Sequence, residues 1–148
     1  AWIPGQRSSP YEMGLGWTVN LDKQGYFVGR RALEREHREG SSWQLAGLEI
    51  DWEGLEREYA AVGMPPQVPA SAVRGSIPVY AGPRQVGYAS TSTWSPVLKK
   101  YIALVHLQQP YFTPGTKVEI EVTVEHHRRK SPATVVKLPF YDPEWKKK

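Results

Sequence analysis

The amino-acid sequence predicts an α+β fold, in which a mixed α/β segment up to about residue 75 precedes an all-β module. Three observations carry this prediction. Opposite charges recur four residues apart over residues 29–39, and apolar and polar residues alternate over residues 117–125. After residue 75, short strand-like runs separated by Gly and Pro recur about every ten residues, which is typical of a small barrel or sandwich.

The clearest predicted helix covers residues 29–39. Arg30 and Glu34 begin a series of opposite charges on successive turns, and such pairs stabilise a helix. Gly40 follows in the position of a left-handed C-terminal cap. So many charges on a short helix indicate a solvated face rather than a binding groove.

The rest of the first half is predicted from shorter patterns. Residues 17–19 (Trp-Thr-Val) have strand propensity, and residues 43–50 alternate enough for a strand. Asp51 is placed to cap a short helix over residues 52–62, whose apolar side chains follow helical spacing. The prolines in residues 63–75 end that helix and indicate an exposed connector.

The second half contains the predicted β module. Its strands are expected at residues 77–80, 84–90, 101–107, 117–125 and 133–138, with turn residues between them. The hydroxyl-rich run at residues 90–95, followed by Pro96, is interpreted as the end of one strand and a turn into the next.

Composition excludes several classes of function. The chain of 148 residues has no cysteine, which excludes disulfides and thiol nucleophiles and fits a cytoplasmic protein. No apolar run approaches the roughly 20 residues of a membrane span. The net charge of +4 is concentrated in residues 126–130 and 146–148, so a whole-surface interaction with nucleic acid is not favoured. The start at Ala1 and Trp2, without an initiator methionine, suggests a fragment, a processed chain or a cloned domain.

The search for catalytic groups is mostly negative. His37 lies among charges, His106 lies in an apolar strand, and His126 and His127 are neighbours that point to opposite faces of a strand, so a metal site is not expected. The carboxylates near Asp51 are interpreted as helix caps and surface charges. The 6 Trp and 8 Tyr residues either fill a barrel interior or form a platform for single-stranded nucleic acid.

Seven short motifs in one order resemble the glycine-cleavage T-protein (aminomethyltransferase) family. Each motif alone is weak, but their order and spacing agree from about residue 10 to residue 141. The motifs lie at residues 10–19 (Pro-x-Glu-x-Gly-Leu-Gly-Trp-Thr-Val), 27–33 (Phe-Val-Gly-Arg-x-Ala-Leu), 45–49 (Leu-Ala-Gly-Leu-Glu), 74–80, 87–96, 114–120 and 135–141.

The resemblance covers only the C-terminal part of that family, whose full-length members are similar to three domains around a folate cavity. It implies that residues 1–73 are the end of a ferredoxin-like middle α/β domain plus a connector. Residues 74–148 would be the C-terminal aminomethyltransferase-type Greek-key β-barrel. The connector at residues 51–73 is longer than usual in the family, which puts the glycine-cleavage substrate in doubt and favours a divergent branch.

The resemblance also implies a cofactor and its contacts. Members bind tetrahydrofolate, and their catalytic aspartate and pterin-binding glutamate would lie upstream of this chain, so no residue here is assigned a catalytic role. Three residues match positions near the folate. Lys23 precedes the Phe-Val-Gly motif, Trp94 occupies the aromatic position of the Thr-aromatic-Ser-Pro motif, and Trp145 follows the Pro-Phe motif.

The expected partners are the missing N-terminal domains and a lipoyl-carrying donor similar to H-protein. The isolated chain is expected to be catalytically inert and to bind folate weakly or not at all. Two alternatives remain: a stand-alone basic barrel that binds nucleic acid or another anionic ligand, and a structural module without a ligand.

Overall fold

A computed structural model describes residues 7–69 and 71–147 of the chain. Two features discussed from the sequence lie outside the described residues: the start of the chain at Ala1 and Trp2, and Lys148, the last lysine of the basic tail. Within the described part, no helix has the length and apolar character needed to cross a membrane.

Two α-helices form where the charge pattern and the capping residues predict them. Helix α1 spans Arg30–Glu39 and ends at Gly40, whose φ of 83° places it in the left-handed region. Helix α2 spans Trp52–Ala60, and the Asp51 carboxylate accepts a hydrogen bond of 3.1 Å from the Gly54 N–H at its start. Both predicted helices are confirmed, and α1 has no buried residue, as expected of a solvated helix.

The strand predicted at residues 17–19 is wrong. Residues Gly16–Thr18 form a short 3-10 helix, and a second one spans Glu144–Lys147. The Thr18 hydroxyl donates a hydrogen bond of 2.7 Å to the Leu15 carbonyl oxygen. This local bond between side chain and backbone competes with strand formation and stabilises the turn instead.

Six strands within the described residues form a closed antiparallel barrel. Around the barrel their order is β1-β4-β3-β2-β5-β6, with β6 paired to β1. Because β5 returns to lie beside β2 after the β2–β3–β4 meander, the topology is a Greek key, and the predicted α+β barrel fold is confirmed. The strands are β1 Trp43–Ile50, β2 Val73–Ala81, β3 Arg84–Ser95, β4 Lys100–Gln108, β5 Lys117–Val124 and β6 His127–Val136.

Alternating side chains fill the barrel interior. On β5, Val118, Ile120 and Val124 are buried, whereas Lys117 is exposed, as the alternation of the sequence predicts. The largest fully buried hydrophobic side chains of the barrel core come from five of the six strands: Leu48, Val79, Val86, Val105, Leu107 and Val135. The interior is therefore packed by aliphatic side chains and is not an open channel.

Strand β1 completes the barrel, although it precedes the domain boundary predicted at residue 73. It pairs with β4 along its whole length and with β6 from Gly47 to Ile50. The division of a longer protein at residue 73 stays a prediction, but in this structure residues 43–50 belong to the barrel sheet.

Helix α2 covers one end of the barrel. Leu55 and Tyr59 on the helix pack with Val124 at the end of β5, and Met64 and Val68 of the following connector join this cluster. Because α2 comes directly after β1, the long connector is partly an end cap of the barrel rather than a free linker.

Candidate functional site

Trp94 lies at the end of β3 beside the α2 cap. Its strand register pairs it with Tyr101 on β4. The Trp94 ring is in an edge contact with the ring of Trp52, the first residue of α2, at 5.1 Å between centroids. Trp94 is partly buried, so part of its indole surface is still available to a ligand or to another domain.

Lys23 lies in an exposed loop that Arg30 holds in place. The Arg30 guanidinium donates to the carbonyl oxygens of Leu21, Lys23 and Gly25, each at 2.9 Å. The Lys23 side chain lines a shallow surface depression together with Phe27. Because three hydrogen bonds from the Arg30 guanidinium hold the loop, the backbone position of Lys23 is defined, although its side chain is exposed.

Trp145 lies in the terminal 3-10 helix, and 67% of the residue is exposed. The structure places Lys23 in the α1 loop and Trp94 at the capped end of the barrel, in different surroundings. The assignment of Lys23, Trp94 and Trp145 to one ligand therefore stays a prediction.

A cavity of about 370 Å³ lies at the same end of the barrel, where β2 and β5 separate. Its polar groups include Ser92 and Tyr101, whose hydroxyls are hydrogen-bonded at 3.1 Å, and Glu121, whose carboxylate accepts a bond of 3.3 Å from the Tyr80 hydroxyl. Burial, together with the nearby Glu121 carboxylate, raises the pKa of Tyr80. The cavity is lined by Leu55, Tyr59, Gln67, Pro69, Val73, Ser76, Ile77, Pro78, Ser92, Tyr101, Glu121, Val122 and Thr123.

His106 occupies a second polar pocket, on the outer face of the barrel. Its ring stacks on Tyr88 at 5.3 Å between centroids, and the Tyr88 ring also contacts the Trp43 ring at 6.3 Å between centroids. Arg7, Ser8 and Glu12 complete the lining of the pocket. Burial lowers the pKa of His106, and the nearby Glu12 carboxylate partly opposes this change. The histidine is thus a packed aromatic residue, as predicted from its apolar strand.

The pKa of His106 makes stability depend on pH in a defined direction. The unfolded chain protonates this histidine near its ordinary pKa of 6.5, whereas the folded chain resists protonation. We therefore expect the free energy of unfolding to fall as the pH drops below about 6.5. Urea denaturation between pH 5 and 8 measures this slope. His106→Gln is expected to flatten it; an equally steep slope in H106Q contradicts the assignment.

No group of three or more histidine or acidic side chains among the described residues is arranged to hold a metal ion. The basic run of residues 126–130 is also not an isolated positive surface. Arg128 lies 3.7 Å from Glu121, and Lys130 lies 3.8 Å from Glu119. The glutamates of β5 therefore offset much of the positive charge of β6.

The barrel and its motifs agree with a known family. The family model described as "Glycine cleavage T-protein C-terminal barrel domain" matches residues 57–142, more than half of the chain. The chain belongs to this family.

Relatives of known name extend the T-protein similarity to the segment before the matched region. Aminomethyltransferase from Prochlorococcus marinus (strain NATL2A) is 33% identical over 134 residues, and that from Bacillus pumilus (strain SAFR-032) is 32% identical over 133 residues. Each alignment covers 90% of this chain but only 30% and 31% of the relative. The chain thus spans about a third of the length of these relatives.

A solved structure shows the same fold. The glycine cleavage system aminomethyltransferase T from Bartonella henselae superposes with a TM-score of 0.66 at 18% identity, covering 90% of this chain and 32% of that one. At this identity the likeness concerns the fold alone.

Two of the T-protein motifs are in contact in the structure, and this contact explains why one motif has a glycine at residue 47. Gly47 lies on the outer face of β1, and the Phe140 ring packs directly over it. A Cβ atom at Gly47 would lie 2.8 Å from Phe140 Cε1 and 2.9 Å from Val136 Cγ2. The 45–49 and 135–141 motifs therefore form one contact that anchors the C-terminal segment on the barrel.

The sequence search missed the cavity between β2 and β5. Its members Ser92, Tyr101 and Glu121 come from three strands, and only Ser92 lies within one of the family motifs, at residues 87–96. The sequence signal for it is weak, because Ser92 lies in a hydroxyl-rich run, and only its buried position opposite Ala103 of β4 distinguishes it. A polar residue at an inward position indicates either a hydrogen-bonded partner or a cavity.

Proposed function

We propose that this chain is the C-terminal part of a tetrahydrofolate-dependent aminomethyl or methyl transferase, in which the barrel forms one wall of the folate cavity. The observation that carries the proposal is the similarity to proteins named aminomethyltransferase over 90% of the chain. The chain covers only about a third of those proteins, so the activity would belong to a longer assembly of domains.

The side chains at the predicted positions are compatible with a folate contact. Tetrahydrofolate joins a flat ring system to a carboxylate-bearing tail. The partly buried Trp94 offers an aromatic surface beside Trp52, and Lys23 offers an ammonium group in a loop fixed by Arg30. Aromatic surfaces and a few placed charges are the usual lining of cofactor sites. Trp145 is included because of its place after the Pro-Phe motif.

The proposed chemistry assigns no catalytic group to this chain. Folate would carry the one-carbon unit, and the chain would help to enclose it and hold it in position, which accelerates transfer by proximity. The partners in this proposal are the N-terminal domains and a lipoyl-carrying donor similar to H-protein, in the cytoplasm. The isolated chain is expected to be inert.

A chimera tests the proposal. We expect that replacing the matching C-terminal region of the Bacillus pumilus aminomethyltransferase with this chain gives an enzyme that binds tetrahydrofolate and turns over. The isolated chain should show no turnover. In the chimera, Trp94→Ala should weaken folate binding about tenfold, since it removes an aromatic contact surface. Titration calorimetry gives the affinities, and ammonia release gives the rate.

The matched control for Trp94→Ala is Val97→Ala, since Val97 is an exposed apolar residue in the turn after the same strand. This variant should bind folate like the unmodified chimera. A chimera with native circular dichroism that does not bind folate would contradict the proposal, as would robust turnover by the isolated chain.

The alternative of a nucleic-acid module gains no support from the barrel surface. The basic side chains of β6 lie within reach of glutamates on β5. A single-strand platform requires a continuous positive groove with exposed aromatic rings.

A further inference from the structure

The β2–β5 ladder has the fewest paired residues of the six in the barrel sheet. These strands pair only at Val79–Ile120 and Tyr80–Glu119, whereas β5 and β6 pair along the full length of β5. Beyond these pairs the strands diverge, and the cavity of about 370 Å³ occupies the space that a continuous ladder would fill. Backbone groups of β5 that face the gap therefore have no strand partner there, and such groups favour a bound ligand or solvent.

Glu121 is the only charged residue in the lining of this cavity among the described residues. Its side chain is 16% exposed. The carboxylate has two weak contacts: the Tyr80 hydroxyl at 3.3 Å, and the Arg128 guanidinium at 3.7 Å on a side chain that is 81% exposed. A carboxylate can accept about four hydrogen bonds, and a solvent-screened pair adds little. Glu121 is thus largely removed from water without strong partners.

The remaining walls define the shape of a partner. Apolar surface comes from Leu55 and Ile77, and two phenol rings come from Tyr59 and Tyr101. The Tyr59 hydroxyl already donates to the Gln67 carbonyl oxygen at 3.0 Å, which fixes that ring at the mouth formed by the connector. The cavity volume is in the usual range for small ligands. Aromatic rings and a carboxylate together are the surroundings that suit an organic cation.

We propose that the cavity between β2 and β5 binds a small organic monoammonium ion, with its charge at Glu121 and its apolar body between Leu55, Ile77 and the tyrosine rings. A single carboxylate matches a single positive charge, so polyamines fit less well. Anionic ligands fit less well because they would meet the Glu121 carboxylate, which has the same sign of charge. This inference goes beyond the proposed folate chemistry and does not depend on it.

Titration of the full 148-residue chain with phenethylammonium chloride tests the proposal. We expect saturable binding by calorimetry, with 2-phenylethanol, the matched neutral probe, and 3-phenylpropionate, the anionic probe, each at least about tenfold weaker. Equal binding of the alcohol, or no binding of the ammonium ion up to about 10 mM, which is weaker than ordinary small-ligand affinity, would overturn the proposal.

Variants locate the site. Glu121→Gln should reduce the affinity for phenethylammonium about tenfold or more, because the amide lacks the charge. Glu119→Gln is the matched control: it lies two residues earlier on the same face of β5, near Lys130, and does not line the cavity. It should bind like the unmodified chain. An E121Q chain with unchanged affinity contradicts the proposal.

A second variant keeps the test decisive if E121Q is unstable. Ser76 is an exposed lining residue of β2, so Ser76→Lys is expected to fold and to place a competing ammonium group at the cavity. It should abolish binding of phenethylammonium, whereas Ser76→Gln, of similar length and neutral, should retain it. Equal binding by both Ser76 variants would assign the probe to another site.

Discussion

Replacing Gly87 with alanine is expected to destabilise the barrel by about 3 kcal/mol, at the upper end of the usual cost of overpacking. Gly87 lies in β3, between Val79 on β2 and Leu107 on β4. A Cβ atom there would overlap the carbonyl oxygen of His106 and lie 2.8 Å from Leu107 Cδ2. Because the first obstacle is backbone, a side-chain rotation cannot relieve it, and β3 must move away from β4.

Urea denaturation followed by tryptophan fluorescence measures this loss. Gly75→Ala is the control, since Gly75 lies on β2 with open space at its Cβ position. That change should alter stability by less than about 0.5 kcal/mol. If both glycine variants unfold at the same urea concentration as the unmodified chain, the tight approach of β3 and β4 at Gly87 is incorrect.

Replacing Leu55 with alanine is expected to destabilise the fold by about 2–5 kcal/mol, the usual cost of truncating a buried leucine. Leu55 is 1% exposed. Together with Tyr59, which is also on α2, it packs against Val124 at the end of the barrel. Its loss leaves a cavity under α2 and weakens the packing of α2 on this end of the barrel. Of the buried members of this cluster, only Tyr59 and Val124 remain to hold the helix.

Thermal and urea denaturation, together with hydrogen exchange of the α2 amides, measure the effect. Glu56→Ala, the next residue on the exposed side of α2, is the control and should have little effect. A normal midpoint for L55A, with protected α2 amides, would show that α2 does not depend on this contact.

Local sequence patterns predict those elements that are specified by residues close together in the chain. The charge pairs of α1, the Asp51 cap of α2 and the alternation of β5 each specify their element within a short window, and the structure confirms all three. Pairings between distant strands have no such local signal. Strand β1 was therefore predicted as a strand but not as a neighbour of β4 and β6.

Residues 90–95 show how tertiary context overrides local preference. Their hydroxyl side chains favour turns, yet β3 continues to Ser95 and the turn follows at residues 96–99. The strand persists because it pairs with β4, and because Ser92 finds a hydroxyl partner in Tyr101. The pairing of β3 with β4 shifts by one residue between Ala89 and Thr91, where Ser90 is an extra residue in β3.

The family motifs identify the family of this chain better than they identify its binding residues. Trp94 was singled out from a motif, and the structure places it against Trp52, which the motif did not reveal. In the sequence, Glu121 is one of several glutamates on the polar side of an alternating strand. Its position at a separated pair of strands depends on the geometry of β2, which a linear pattern does not encode.

The pairing of β1 with β6 has a consequence for the order in which the chain folds during synthesis. Strand β1 emerges from the ribosome first and β6 last, so the seam between them forms only when nearly the whole chain is available. Until then the edges of β1 and β6 are open and can pair with other chains. A chain trimmed to the matched region at residue 57 lacks β1, leaves β4 and β6 unpaired on one side, and would be expected to aggregate.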